Sequence, residues 1–336
     1  MCINTEKKKG LIDLHLHLDG SISVQSAREL AKIEGVALPG EDEALRKLLT
    51  VSDGCRDLNE YLTRFSLPCS LLESAESLSL ATCNLCRELE AAGYIYAEIR
   101  FAPQKHGGKG LSQDGAVSAA IDGLRRSGFH AQLILCCMRE GFDNREANLE
   151  TVRLTRKYWG QGVCACDLAG AEALYPNEQY AYIFEEARKL GVPFTIHAGE
   201  ALGAESVAIA LDYGARRIGH GIRAYESEAV AARLAREGVA LEVCPTSNLN
   251  TAVFPSIAEL PIPALIEAGV TVTVNADNMS VSATSVGREL ALVQDAFGYS
   301  REDIKGFLIA SAKAAFLSEA EKEALVEQIN GIFEER

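Results

Sequence analysis

The chain has 336 residues, 48% of them hydrophobic, and a formal charge of −14. That length and apolar content allow a large buried core, as one big domain or two ordinary ones. The acidic balance disfavours a nucleic-acid backbone as partner and suits a small neutral or cationic ligand.

Met1–Lys9 carries a basic run with no apolar core behind it, so no secretory signal is read there. No later stretch reaches the roughly 20 apolar residues of a membrane-spanning helix, so no membrane partner is expected. The ten Cys show no disulfide spacing. Cys2, Cys55, Cys69, Cys136, Cys137, Cys164, Cys166 and Cys244 mostly fall in apolar runs, and Cys83-x-x-Cys86 stands alone on a helical pattern. Reduced thiols and the missing signal give a cytoplasmic expectation. No feature defines an oligomeric state.

Eight apolar, β-rich segments follow one another: Leu11–Leu18, Tyr94–Pro103, Phe129–Met138, Val163–Gly170, Val192–Gly199, Arg217–Ile222, Val239–Pro245 and Val270–Asp277. Helical patterns lie between them. Gln179–Leu190, Glu226–Glu237 and Ile262–Ala268 each run into a Gly, the usual helix stop. This alternation predicts an α/β chain folded as a (β/α)8 TIM barrel, a single domain over 1–336. An open doubly wound sheet is the alternative, but neither G-x-G-x-x-G nor a Walker pattern is present. The connection from Ile22 to Gly93 is too long for a simple crossover and reads as a helical lid insertion over 22–93, with helices at Val24–Glu34, Glu41–Thr50, Leu58–Leu72 and Ser74–Ala92. Within it, Leu58, Tyr61, Leu62 and Phe65 form an apolar stripe at helical spacing. Beyond Asp277 the chain reads as extra C-terminal helices, Lys305–Leu317 and Glu321–Phe333, with start signals at Ser300–Asp303 and Ser318–Glu321.

The chemistry-bearing residues collect at strand ends. In Leu11–Gly20 the leucines alternate with His15, His17 and Asp19, so two imidazoles share one strand face. Four of the six His, namely His15, His17, His197 and His220, sit at C-terminal strand ends, where a parallel barrel builds its site. His15, His17, His197 and Asp277 make an N3O donor set that suits one zinc ion and leaves room for water. Zinc lowers the pKa of water to about 7. His220 is then placed to hold or deprotonate that water, and Glu200 to give and take protons. His106, in a Gly-rich loop, and His130, at the opposite end of strand three, receive no role.

His15-Leu-His17-Leu-Asp-Gly20, Asp167-Leu-Ala-Gly170, Thr195-Ile-His-Ala-Gly-Glu200, Gly219-His-Gly221, Leu241-Glu-Val-Cys-Pro-Thr-Ser-Asn248 and Asn275-Ala-Asp-Asn278 together resemble the adenosine deaminase family, within the metal-dependent amidohydrolase superfamily. Asp57–Phe65 resembles its lid helix. The resemblance implies zinc-dependent hydrolytic deamination of adenosine or 2′-deoxyadenosine in purine metabolism, with His15, His17, His197 and Asp277 as metal ligands. It implies that Glu200 protonates purine N1, that His220 orients the attacking hydroxide and that Asp277 contacts it. It further implies that the Gly170 N–H binds N3, that Asp19 accepts from a ribose hydroxyl, and that Leu58, Tyr61, Leu62 and Phe65 cover the base, His17 also lining the substrate site. The family's common Asp-Asp at the end of strand eight is Asp277-Asn278 here. An Asn amide donates to the N7 acceptor without needing protonation. Relatives acting on adenine or on aminofutalosine-type nucleosides share most motifs and are the alternative substrates. No basic cluster adjoins Asp19 in the sequence, which argues against a nucleotide. A two-metal barrel hydrolase acting on a phosphoester, lactone or amide would want a Lys or Glu bridge on strand four, which ends instead in Asp-Leu-Ala-Gly. A relative without catalytic function would lack Glu200 or a ligand. The nucleic-acid deaminase pattern H-x-E with P-C-x-x-C is missing too.

Overall fold

The structure, a computed structural model, describes residues 10–52 and 54–334. The readings made for Met1–Lys9, including Cys2, lie outside that range. Eight strands occur where the apolar segments predict them: β1 (Leu11–His17), β2 (Tyr94–Phe101), β3 (Ala131–Arg139), β4 (Val163–Gly170), β5 (Thr195–Ala198), β6 (Arg217–His220), β7 (Ala240–Val243) and β8 (Val272–Val274). β5 to β8 are shorter than their apolar runs; Gly199, Gly221 and Pro245 turn the chain off the ladder just beyond β5, β6 and β7.

Every neighbouring pair is parallel, in two four-stranded sheets ordered β1-β2-β3-β4 and β5-β6-β7-β8. Both seams are closed. His17 N–H donates to the Asp277 carbonyl at 2.7 Å and Asp277 N–H to the His15 carbonyl at 2.8 Å, joining the chain just past β8 to β1. Cys166 N–H donates to the Pro193 carbonyl at 3.1 Å, joining β4 to the approach of β5. The sheets therefore form one ring with helices outside, the (β/α)8 architecture. Gly191 and Gly238 end their helices in the left-handed region, as the sequence signals predict.

Ile12, Leu14 and Leu16 are fully buried, and so are Asp13 and His15 between them. β1 thus has an apolar face toward the helices and a polar one toward the barrel axis. The axis is charged throughout: Arg100 and Arg217 lie buried among Glu98, Asp167 and Glu242. Buried charges survive only when paired, and here each guanidinium meets two carboxylates.

The 22–93 segment forms α1 (Val24–Glu34), α2 (Asp42–Leu49), α3 (Leu58–Leu62), α4 (Ser66–Ser70) and α5 (Ala75–Ala91). The continuous helix expected over Leu58–Leu72 is instead broken by a 3-10 turn at Thr63–Phe65. Pro68 explains this: it has no N–H to give the Arg64 carbonyl, and its ring crowds that carbonyl. The C-terminal helices are Arg301–Ala314 and Glu319–Glu334, each preceded by the serine cap read from the sequence. Among the described residues all nine cysteines are free, and no helix is long and apolar enough to cross a membrane.

Candidate active site

Strand alternation and the β1–β8 seam bring the expected donors together. The Nε2 atoms of His15 and His17 lie 3.5 and 3.4 Å from Asp277 Oδ1, and His17 Nε2 lies 3.4 Å from His197 Nε2. His15, His17 and His197 each offer a nitrogen within one 4.8 Å cluster. β6 contributes Gly219 beneath them; a Cβ there would sit 3.0 Å from the His15 ring and 3.2 Å from the His197 backbone. His220 and Asp277 have φ values of 58° and 60°, left-handed conformations uncommon outside Gly. Such strain is held where the surroundings fix it, typically in sites.

A second layer aims the rings. His15 Nδ1 is 2.8 Å from Glu242 and His197 Nδ1 is 2.9 Å from Asp167. Arg100 donates to both carboxylates, at 2.8 and 2.9 Å. Burial alone would raise the Glu242 carboxyl, but Arg100 and Arg217 hold it well below the usual carboxylate range. Burial also lowers His17 and His197. With Nδ1 of His15 engaged, its Nε2 lone pair points to the centre, and that buried atom has no hydrogen-bond partner. An orphaned ring nitrogen, two more imidazoles and a carboxylate fit a metal ion, and backing of ring nitrogens by carboxylates is the habit of metal-ligating histidines.

A cavity of about 570 Å³ opens over this cluster, within the usual range for small-molecule sites of about 300–1,000 Å³. All the expected site residues line it except His15, which lies beneath its floor. Glu200 is 4% exposed, and burial, with the charges of Asp277 and Glu172, pushes its carboxyl well above the usual range. It lies 3.6 Å from His220 Nε2. Asp19, pushed up to about 6 by burial, sits at the cavity's edge. The stripe of Leu58, Tyr61, Leu62 and Phe65 faces the same space.

Two sequence expectations need correction or extension. The space around Asp19 does hold a cation, Lys105 from the loop after β2, and Arg139 from the end of β3 lines the same cavity. Both are remote from Asp19 in sequence. Lys105 is paired with Glu140, and Arg139 is tied to Asn177 and to the His197 carbonyl. The residue missed altogether is Glu172, two positions past Gly170. Its buried carboxylate accepts the backbone N–H groups of Gly199, Glu200, Ala201 and Leu202 at 2.7–3.1 Å. It shapes the turn that presents Glu200. An acid shortly after a strand-end motif, facing a Gly-containing turn on the next strand, was the available signal. Asn248, in the motif that follows β7, lies 3.4 Å from His220 Nδ1.

The sequence matches the family described as Adenosine deaminase over residues 11–332. An adenosine deaminase from Haemophilus ducreyi is 49% identical over 329 residues, covering 95% of each chain. One from Enterococcus faecalis is 36% identical, again with 95% of each chain covered. Among solved structures, an adenine deaminase from Arthrobacter aurescens superposes with a TM-score of 0.85 at 25% identity, covering 97% of this chain and 99% of that one.

Proposed function

Because the chain belongs to the adenosine deaminase family and is a hydrolytic deaminase, we propose that it converts adenosine or 2′-deoxyadenosine, with water, to inosine or 2′-deoxyinosine and ammonia. The observation that carries this reading is one cavity that holds a buried Glu200, its carboxyl pushed above the usual range by burial, and the Asp19 carboxylate, over the His15–His17–His197–Asp277 cluster. We read residues 1–336 as a single barrel domain in which 22–93 is the lid.

His15, His17, His197 and Asp277 would hold one zinc ion, the hard-borderline metal that this donor set suits. When bound, zinc supplies the positive charge that makes water acidic enough to yield a nucleophile near neutral pH. This chain's residues do the rest. Glu200 gives its proton to purine N1, where it stays in the 6-oxo product, and this makes C6 electrophilic; Glu200 takes a proton back from the C6 hydroxyl as the carbonyl forms, and the amine leaves as ammonia with the proton removed from water. His220, fully buried and lowered well below its usual range by burial, is neutral and can accept the water proton. Asp277 holds the attacking oxygen on the same side. The Gly170 N–H binds N3; its φ of 111° is one a side chain would strain. Asn278 donates to N7, Asp19 accepts from a sugar hydroxyl, and Leu58, Tyr61, Leu62 and Phe65 keep water from the base.

Asp19 supports a nucleoside over free adenine, which leaves that carboxylate without a use. Glu140 pairs with Lys105 and Asp19 lies near it, so that cation is already matched by carboxylates and is not free for a 5′-phosphate. Glu200→Gln tests the assignment. It should retain full metal content and lose turnover by about 10²–10⁴-fold, the usual value of a positioned proton donor. Turnover close to wild type would remove Glu200 from the reaction.

A further inference from the structure

β2 and β3 are paired in parallel, and just beyond its end each delivers one charge to the cavity. Past β2, Pro103 opens a 3-10 turn that ends at Lys105, whose N–H donates to the Ala102 carbonyl at 2.9 Å. β3 ends at Arg139 and Glu140 follows it. The chain then turns at Gly141, which has a φ of 81° and donates its N–H to the Tyr180 hydroxyl at 3.3 Å. Both backbones are thus tied down, and the Lys105 ammonium meets the Glu140 carboxylate between them. The pair lines the cavity together with Asp19, Ser66, Cys69 and Met138.

This pair has little to do for the fold. Its side chains are 34 and 40% exposed, and so wet an ion pair adds little stability. Its effect on a ligand is larger. Arg139 is buried and turns both Nη groups into the protein, to the Tyr175 and His197 carbonyls and to Asn177 Oδ1. Lys105 is therefore the cation that a ligand near Asp19 can meet. It already faces two carboxylates, Glu140 by contact and Asp19 through space. A phosphate arriving there has to displace Glu140 and then lie beside the carboxylate it displaced. An uncharged 5′-hydroxyl meets no such penalty. An unfavourable contact with the wrong ligand discriminates as well as a favourable one with the right ligand.

We propose that Glu140 is the specificity-determining residue that makes this a nucleoside site: by holding the Lys105 ammonium it denies a 5′-phosphate its cationic partner. The inference rests on the reading that the sugar lies at Asp19, and it assigns the exclusion of nucleotides to one carboxylate.

The test is the ratio of kcat/KM for AMP to kcat/KM for adenosine, measured at low salt on the zinc-loaded full chain. Glu140→Gln keeps the size of the side chain and removes its charge. It should raise that ratio at least about tenfold, the scale of relieving one like-charge contact. The inhibition constant of AMP against adenosine should fall by a similar factor, which covers binding without turnover. Adding Lys105→Met to Glu140→Gln should cancel most of either gain, because the freed ammonium is what takes the phosphate. The gain should also shrink as salt rises. A Glu140→Gln enzyme that deaminates adenosine with both quantities unchanged overturns the proposal, and so does a gain that survives the loss of Lys105. A wild-type chain that converts adenine or AMP but not adenosine sinks the substrate reading and the inference with it. Adenosine turnover by the wild type, with neither quantity moved by Glu140→Gln, refutes the inference alone.

Discussion

His106 is one of the two histidines the site leaves unused. It is fully buried, neither ring nitrogen has a partner, and burial lowers its pKa from 6.5 to about 4. The fold therefore holds it neutral while the unfolded chain takes up a proton below pH 6.5. Between those values the unfolded state binds more protons, so stability rises with pH, is complete above the unfolded pKa, and is lost as the pH falls toward 4. His106→Leu should flatten that limb by up to roughly 3 kcal/mol. Urea unfolding of both proteins at pH 7.5 and 4.5 measures the difference; parallel losses would show that His106 is not the group being charged.

The same scale shows what was legible in the residues. His15, His17, His197, Glu200 and Asp277 could be read because strand alternation gives each a direction and strand ends give each a place. Glu242 and Arg100 could not be given their roles. A lone charge in a strand looks like an interruption of the apolar run until the partner strand is known, and the Arg100–Glu242 pair spans 142 positions.

At the scale of elements, the loops do the positioning. Glu172 belongs to the loop after β4 yet fixes the loop after β5, by accepting four consecutive backbone N–H groups and the Ser206 hydroxyl. Glu172→Ala should free the 199–202 turn, cut kcat more than about tenfold through misplacement of Glu200, and leave the metal bound. Metal analysis alongside initial rates separates these effects; equal loss of metal and rate would mean that Glu172 supports β5 as a whole. The 22–93 segment follows the same division. Its apolar stripe was readable from spacing, whereas its break at Thr63–Phe65 depended on one proline that the periodicity passes over.

At the scale of the molecule, the sequence rhythm of strand, helix and glycine stop specifies a closed parallel ring, and closure is what assembles the site. Asp277 reaches His15 and His17 only because the chain past β8 pairs with β1. That seam is non-local, so spacing alone placed the residues at strand ends without their mutual distances. The polar barrel axis was less legible, since barrel interiors are ordinarily filled with Val, Ile and Leu. Here the axis also carries the carboxylates that aim the histidines.

The central claim is that this ring deaminates an adenine nucleoside. The direct measurement is ammonia release and ultraviolet absorbance when the zinc-loaded protein is mixed separately with adenosine, 2′-deoxyadenosine, adenine and AMP. Fast conversion of one or both nucleosides is expected, with little or none of adenine and AMP. Turnover of adenine alone, or of AMP ahead of adenosine, would contradict the reading of Asp19 and of the sugar end of the cavity.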